Sequence, residues 1–144
     1  MAEFELHTYN SRDVNVSFAG RSIDTGRADG DFYTSSYKSE LFTDKAGADG
    51  VVVRSKSNDF RAEIKLKLLK TSAGHKTLTE LYALARASVN GSDVGALEVL
   101  DLSGGLVERA DSAWISKPPD NVYGREVGEV EWTLTVANLI REVA

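Results

Sequence analysis

A two-residue alternation over residues 60–68 constrains the fold of this chain more than any other feature. Its apolar side chains, Leu66 and Leu68 among them, occupy the even positions, and charged side chains occupy the odd positions. Successive side chains of a β-strand point to opposite faces, so the pattern predicts a strand with one buried and one solvated face. A similar run over residues 130–136, which contains Trp132, predicts a second strand near the carboxyl end.

Shorter runs of the same kind, at residues 14–18 and 97–102, predict further strands. Between residues 76 and 87 the period changes, because Leu78, Leu81, Tyr82 and Ala85 line one side of a helix. Gly74 before it and Asn90-Gly91 after it are suitable start and stop signals. Together these elements predict a single domain over residues 1–144 of the α+β class, mainly β. Its expected form is an antiparallel β-sandwich or half-open barrel with one flanking α-helix and a long hairpin arm.

Two acidic turns, RADGD at residues 27–31 and GADG at residues 47–50, bracket the predicted arm, which covers about residues 32–54. Asp-Gly pairs favour backbone turns with positive φ. The arm has few large apolar residues, so it needs a partner to become ordered. Those apolar residues are Tyr33, Tyr37 and Leu41 on one face, with Phe32 and Phe42 at the ends of the other.

Residue types suggest roles within and beside the turn of this arm. Gly47 and Gly50 allow a tight turn, and Asp49 is placed to accept hydrogen bonds from nearby backbone amides. Arg54 and Asp59 form a candidate ion pair at the base of the arm.

Charge and composition exclude several classes of function. The formal net charge of −5 gives no basic surface for binding a phosphate backbone. Cysteine is absent, which excludes disulfides, thiolate metal sites and a thiol nucleophile. The first 12 residues or so predict a flexible segment with no secretion signal, and no apolar run is long enough to span a membrane.

No constellation of residues predicts catalysis, a metal site or a cofactor. The acidic turns lack the ligand spacing of calcium loops, and no glycine-rich phosphate loop occurs. His7 and His75 are far apart in the sequence. Glu129 and Glu131 share a strand face, where pairing with Lys65 and Lys67 is the expected role. Trp132 is expected in the core, whereas Trp114 is a candidate for either packing or ligand stacking.

Three segments of the sequence occur together in a distinctive combination: DGD at residues 29–31, GADGVVVRSKSNDFRAEIKLKLLKTS at residues 47–72 and AWISKPPDNVYGREVGEVEWTL at residues 113–134. Through these segments the chain resembles the tail tube proteins of contractile-tailed bacteriophages. The motif residues include Leu66, Leu68, Thr71, Ser72, Trp114 and Trp132. Where the family pattern continues with an asparagine shortly after Thr-Ser, this chain has Gly74-His75.

This resemblance implies a structural protein of the virion and no enzymatic activity. Six subunits would form a ring, and rings would stack into a hollow tube inside a sheath, with baseplate, initiator and terminator proteins as further partners. The tube would be assembled in the host cytoplasm, and DNA would pass through its channel without specific binding. The net charge of −5 leads us to expect a net-acidic channel, which would not hold a polyanion. An initiator or baseplate ring, a tube of a phage-like injection particle, and a small β-sandwich binding module remain alternative interpretations.

Overall fold

The structure is a computed structural model that describes residues 6–23, 25–90 and 93–143. Within these residues it has ten strands and one α-helix. They are β1 Val14–Phe18, β2 Arg21–Ser22, β3 Tyr33–Tyr37, β4 Phe42–Ala46, β5 Val52–Lys56, β6 Ala62–Leu69, α1 Ala73–Ala87, β7 Gly95–Asp101, β8 Leu106–Lys117, β9 Glu129–Val136 and β10 Ile140–Val143.

Most strands belong to one antiparallel sheet with the order β2-β1-β7-β8-β9-β6-β3. The long strand β8 turns the corner of this sheet, because its first half pairs with β7 and β10 and its second half pairs with β9. The register of β8 shifts between Ile115 and Lys117 in its pairing with β9, an irregularity of the kind that bends a strand. The predicted α+β, mainly β, fold is confirmed.

The core lies between the inward faces of the two halves of this sheet. Leu66 of β6 is directly opposite Trp132 of β9, and Ile64 is opposite Leu134. All four side chains are buried, as the alternation predicts. Burial of each of these side chains stabilises the fold by about 1.5–3 kcal/mol. Burial of the apolar faces of these strands therefore drives the packing of the two halves.

Helix α1 begins three residues before the predicted start because Ser72 caps it. The Ser72 hydroxyl accepts a hydrogen bond from the backbone N–H of His75 at 3.1 Å. Gly74 lies inside the helix and is buried, and a Cβ at this position would be 2.9 Å from Ile23 Cγ2. Glycine therefore allows the first turn of the helix to pack closely on the sheet, and Leu78 continues this buried face.

Replacing Ser72 with alanine should lower the free energy of unfolding by about 1 kcal/mol, because the amide of His75 loses its acceptor. Urea denaturation followed by circular dichroism measures the change. Thr79→Ala is the matched control, since its hydroxyl is exposed and donates to the His75 carbonyl. The control should change stability by less than about 0.5 kcal/mol. Equal losses in both variants would contradict the capping role.

The segment before β1 is attached to the domain from Asn10 onwards. Asn10 caps a short 3-10 turn, Ser11–Asp13, and its N–H donates to Ser103 Oγ at 3.3 Å. Ser103 Oγ in turn donates to Asp13 at 2.8 Å. The predicted flexible segment of about 12 residues therefore includes an anchored part, and its first five residues lie outside the described part of the chain.

Candidate assembly surfaces

A two-stranded hairpin formed by β4 and β5 stands apart from the main sheet. Every residue from 41 to 56 is exposed. The exposed side chains include apolar ones, with Val52 at 67%, Val53 at 61% and Phe42 at 37% of full exposure. An isolated two-stranded hairpin is marginally stable in water. This hairpin, called the arm below, is therefore a surface that a partner would stabilise.

The arm is shorter at its start than the predicted range of residues 32–54. Residues Tyr33–Tyr37 form β3, which pairs with β6 in the main sheet. Phe32 and Tyr33 pack against the core and are partly buried, which places them in the domain. The arm itself spans residues 41–57, because a backbone hydrogen bond of 2.8 Å from Ser57 N to the Leu41 carbonyl closes its base.

The turn of the arm depends on two glycines and an aspartate. Gly50 has φ of 89°, a conformation that side chains with a Cβ rarely adopt. Gly47 N donates to the Val51 carbonyl at 2.8 Å, and Asp49 Oδ1 accepts from Val51 N at 3.3 Å. Residues 47–51 therefore form a compact turn that reverses the direction of the chain.

The predicted ion pair between Arg54 and Asp59 is not formed. Asp59 instead accepts hydrogen bonds from Arg61 Nε at 2.8 Å and from Ser39 Oγ at 2.8 Å. These bonds hold the pKa of Asp59 well below its usual range, with Arg61 as the main cause. Arg54 lies opposite Asp44 on the hairpin, and its guanidinium is 4.2 Å from the centre of the Phe42 ring. The extended arm therefore carries Arg54 away from its base, where Asp59 pairs with a residue only two positions away.

Polar side chains attach β3 to the opposite half of the sheet. Glu108 accepts hydrogen bonds from Ser35 Oγ at 2.8 Å and from Arg141 Nε at 2.9 Å, and the Glu108 side chain is only 13% exposed. Tyr37 donates from its hydroxyl to the Leu139 carbonyl at 2.8 Å. Burial, with the nearby Glu108 carboxylate, raises the pKa of Tyr33 well above its usual range. Because the chain enters the arm directly after β3, these contacts fix the point from which the arm projects.

One half of the sheet, with the order β8-β9-β6-β3, has two edges that lack a strand partner among the described residues. At one end, β3 pairs only with β6. At the other end, residues 114–117 of β8 pair only with β9, since the pairing of β8 with β7 stops at Ala113. Open edges expose unpaired backbone N–H and C=O groups and invite pairing with another chain.

The outer face of this half-sheet is mostly polar, and several of its charges pair with one another. Lys65 Nζ lies 3.6 Å from Glu63 and 3.7 Å from Glu131, and Lys67 Nζ lies 3.8 Å from Glu131. The pairing expected between Glu131 and the two lysines is thus present. Hydroxyl side chains, including Thr34, Ser36 and Thr133, occupy neighbouring positions in the register.

Residues 6–142 match the family model described as Bacteriophage PhiTE tail tube protein. This chain belongs to that tail tube family. Comparison with curated protein sequences gives no match.

Solved structures similar to this tail tube family member come from contractile injection systems. The anti-feeding prophage cap, a tube-terminating cap, matches with a TM-score of 0.65 at 12% identity, covering 100% of this chain and 97% of that chain. The sheath/tube terminator of the extracellular system PVC matches with a TM-score of 0.62 at 13% identity, covering 99% and 100%. A chain of the PVC sheath-tube complex matches with a TM-score of 0.61 at 12% identity, covering 95% and 93%. The TM-scores of 0.61–0.65 show a shared fold, and at 12–13% identity the likeness is one of fold alone.

The residues that carry the resemblance in the sequence serve the fold in this chain. Leu66, Leu68 and Trp132 are buried, and Ser72 caps α1 after Thr71 in the turn that follows β6. Trp114 is half-buried on β8. The described residues contain no cluster of three or more potential metal ligands, and no described helix has the length and apolarity to cross a membrane.

Replacing Gly50 with valine should impair tube formation in this tail tube protein far more than it impairs folding. The positive φ at Gly50 imposes backbone strain of about 1–3 kcal/mol on valine. That strain falls on the exposed arm, where a new Cβ has open space, so the thermal midpoint of the domain should change little. Tube yield by negative-stain microscopy provides the measurement. Gly50→Asn is the control, because asparagine tolerates positive φ. Equal tube yields from the valine variant and the wild type would contradict this role of the turn.

Proposed function

We propose that this chain is the subunit of the inner tail tube of a contractile phage tail, a structural protein that pairs with copies of itself. The observation that carries the proposal is the half-sheet with two open edges in a chain of the tail tube family. Ring closure pairs one edge of each subunit with the other edge of the next subunit, which satisfies the exposed backbone groups.

Strand direction supports this edge-to-edge pairing. Along the order β8-β9-β6-β3 each strand is antiparallel to its neighbour. With an even number of alternating strands, β3 of one subunit runs antiparallel to β8 of the next when the subunits follow one another around a ring. The antiparallel pattern therefore continues across every subunit boundary and forms a closed barrel. Six subunits per ring is the number implied by the resemblance to contractile tail tubes.

The outer face of the half-sheet lines the channel in this proposal. Lys65 and Lys67 are already paired with Glu63 and Glu131, and Lys117 lies on the same face opposite Thr133. Hydroxyl groups occupy much of the remainder. A DNA phosphate passing along this face meets two lysines, Lys65 and Lys67, whose charges are already balanced by carboxylates, so binding to this part of the face is weak. This face is more balanced in charge than the net-acidic channel that the sequence suggests.

The arm supplies contacts beyond the ring. Its exposed valines and Phe42 pack against an adjacent subunit or the neighbouring ring, and the hairpin becomes ordered by that contact. Sheath, baseplate, initiator and terminator proteins are the further partners, and the tube is assembled in the host cytoplasm before it becomes part of the virion.

A second candidate is a ring that terminates a tube. Two of the similar solved structures are described as a tube-terminating cap and a sheath/tube terminator, whereas the matched family is named for the tube itself. A terminator forms a single ring that does not elongate.

Sedimentation velocity and negative-stain microscopy of the purified protein test the proposal. The tube subunit should give hollow rings and, at higher concentration or with tube fragments as seeds, tubes of constant diameter. A terminator should give single rings that do not elongate from seeds. A monomer at every concentration, with or without seeds, would contradict both candidates and leave a small β-sandwich binding module as the better interpretation.

A further inference from the structure

A buried tryptophan and a histidine are hydrogen-bonded at the amino-terminal end of α1. Trp132 on β9 is 1% exposed, and its indole Nε1 donates to His75 Nδ1 at 3.0 Å. The two rings also contact each other, with centroids 5.7 Å apart. Only the neutral imidazole has a lone pair on Nδ1 to accept this bond. The contact between helix and sheet therefore requires that His75 be uncharged at Nδ1.

The helix dipole and Lys70 oppose a positive charge on the His75 ring. His75 lies in the first turn of α1, where the helix dipole is positive. Lys70, in the turn before the helix, adds a second positive charge nearby. The groove beside His75, of about 950 Å³, brings further charged or titratable groups from the helix and from the loop of residues 118–128, namely Lys76, Glu80, Tyr82, Asp120, Tyr123, Arg125 and Glu126.

Lys70 also joins this corner to the loop of residues 118–128. Its Nζ donates to the Val122 carbonyl at 2.5 Å and lies 3.3 Å from the centre of the Tyr123 ring. Val122 and Tyr123 are themselves exposed. The position of this loop thus depends on Lys70, and the charge of this lysine also lowers the pKa of His75.

We propose that His75 is an acid-sensitive latch, which holds the first turn of α1 and the loop of residues 118–128 in place while its imidazole is neutral and releases them when it is protonated. Protonation places an N–H on Nδ1 opposite the indole N–H, so the buried Trp132 donor loses its acceptor. The same charge repels Lys70 and weakens the contacts of Lys70 with Val122 and Tyr123. The latch operates within one subunit and does not depend on assembly.

The direction of the pH dependence follows from the surroundings of His75. Burial of the ring, and then the charge of Lys70, lower the pKa of His75 below its usual value of about 6.5. The unfolded chain therefore binds a proton on this residue before the folded chain does. The stabilising contribution of neutral His75 is complete above about pH 6.5 and declines as the pH falls from there toward the folded pKa.

Fluorescence of Trp132 tests the latch in a Trp114→Phe background, where Trp132 is the only remaining tryptophan. Emission should change as the pH falls, with a midpoint below about 6.5, because an imidazolium quenches an adjacent indole. His75→Asn is the matched variant, since its amide oxygen lies near the position of Nδ1 and accepts the bond without titrating. Its emission should stay constant over the same range. A flat wild-type profile, or the same transition in His75→Asn, would overturn the proposal.

Hydrogen exchange of the 118–128 peptide measures release of the loop. After correction for the intrinsic pH dependence of exchange, wild-type protein should lose protection at acid pH and His75→Asn should keep it. Lys70→Met should raise the midpoint of the Trp132 emission change, since the repelling charge is gone. An unchanged midpoint in Lys70→Met, or equal loop protection in wild type at both pH values, would contradict the coupling between His75, Lys70 and the loop.

Discussion

A variant without the arm, in which Asn-Gly replaces residues 42–56, is expected to fold normally and to form no tubes. The base of the arm is already closed by the hydrogen bond from Ser57 N to the Leu41 carbonyl at 2.8 Å. A two-residue turn spans such a pair, and Asn-Gly suits the turn. Because residues 41–56 are exposed, their loss removes little buried surface, and stability should change by about 0.5 kcal/mol or less.

Assembly of the arm variant should fall below detection, because the apolar groups that contact neighbouring copies are absent. Urea denaturation measures folding, and sedimentation with electron microscopy measures assembly. Tubes at the wild-type yield would contradict the assembly role of the arm. An unfolded variant would contradict the separation of arm and domain. The point substitution at Gly50 tests the same surface with the arm still present.

Replacement of Trp132 by alanine is expected to cost about 3–5 kcal/mol of stability, a large share of the total for a domain of this size. Trp132 is buried, lies opposite Leu66 in the sheet and contacts Tyr82 and His75 of α1. The substitution removes packing on both sides and leaves His75 without the indole donor. Urea denaturation followed by circular dichroism provides the measurement.

Trp114→Ala is the matched control for this substitution. Trp114 is the other tryptophan of the chain and is half-buried on β8, opposite Thr135 of β9. Its loss should cost clearly less than the loss of Trp132. Equal costs would contradict the assignment of Trp132 to the centre of the core. A greater effect of Trp114→Ala on assembly than on folding is expected from its position on the open edge of β8.

The strands and the helix could be predicted from sequence because they depend on local periodicity. The alternation of apolar and polar residues correctly predicted which faces of β6 and β9 are buried, including Leu66 and Trp132. The helix had a clear apolar stripe, but its first turn was missed because Gly74 suggested a boundary. In the structure Gly74 is required for close packing against Ile23, and Ser72 provides the cap.

Contacts between distant parts of the chain could not be predicted in the same way. The cluster of Ser35, Glu108 and Arg141 joins three strands, and none of these residues stands out in its own segment. The start of the arm was placed too early because β3 has a weak apolar pattern, and its pairing with β6 decides its position. Arg54 and Asp59 are close in sequence, yet the extended hairpin separates their side chains.

Disulfide cross-linking of the two open edges tests the central claim most directly, since the chain has no cysteine of its own. Thr34→Cys or Ser36→Cys on β3 is combined with Ser116→Cys on β8. Within one chain these strands are three spacings apart, on the order of 14 Å at about 4.8 Å per spacing, which exceeds the roughly 7 Å limit for a disulfide. Edge-to-edge pairing predicts that oxidation of at least one double variant gives a ladder of covalent oligomers ending at a closed ring, whereas each single variant gives dimers at most. Rings visible by microscopy with no ladder in either double variant would contradict the pairing of β3 with β8 between neighbouring copies.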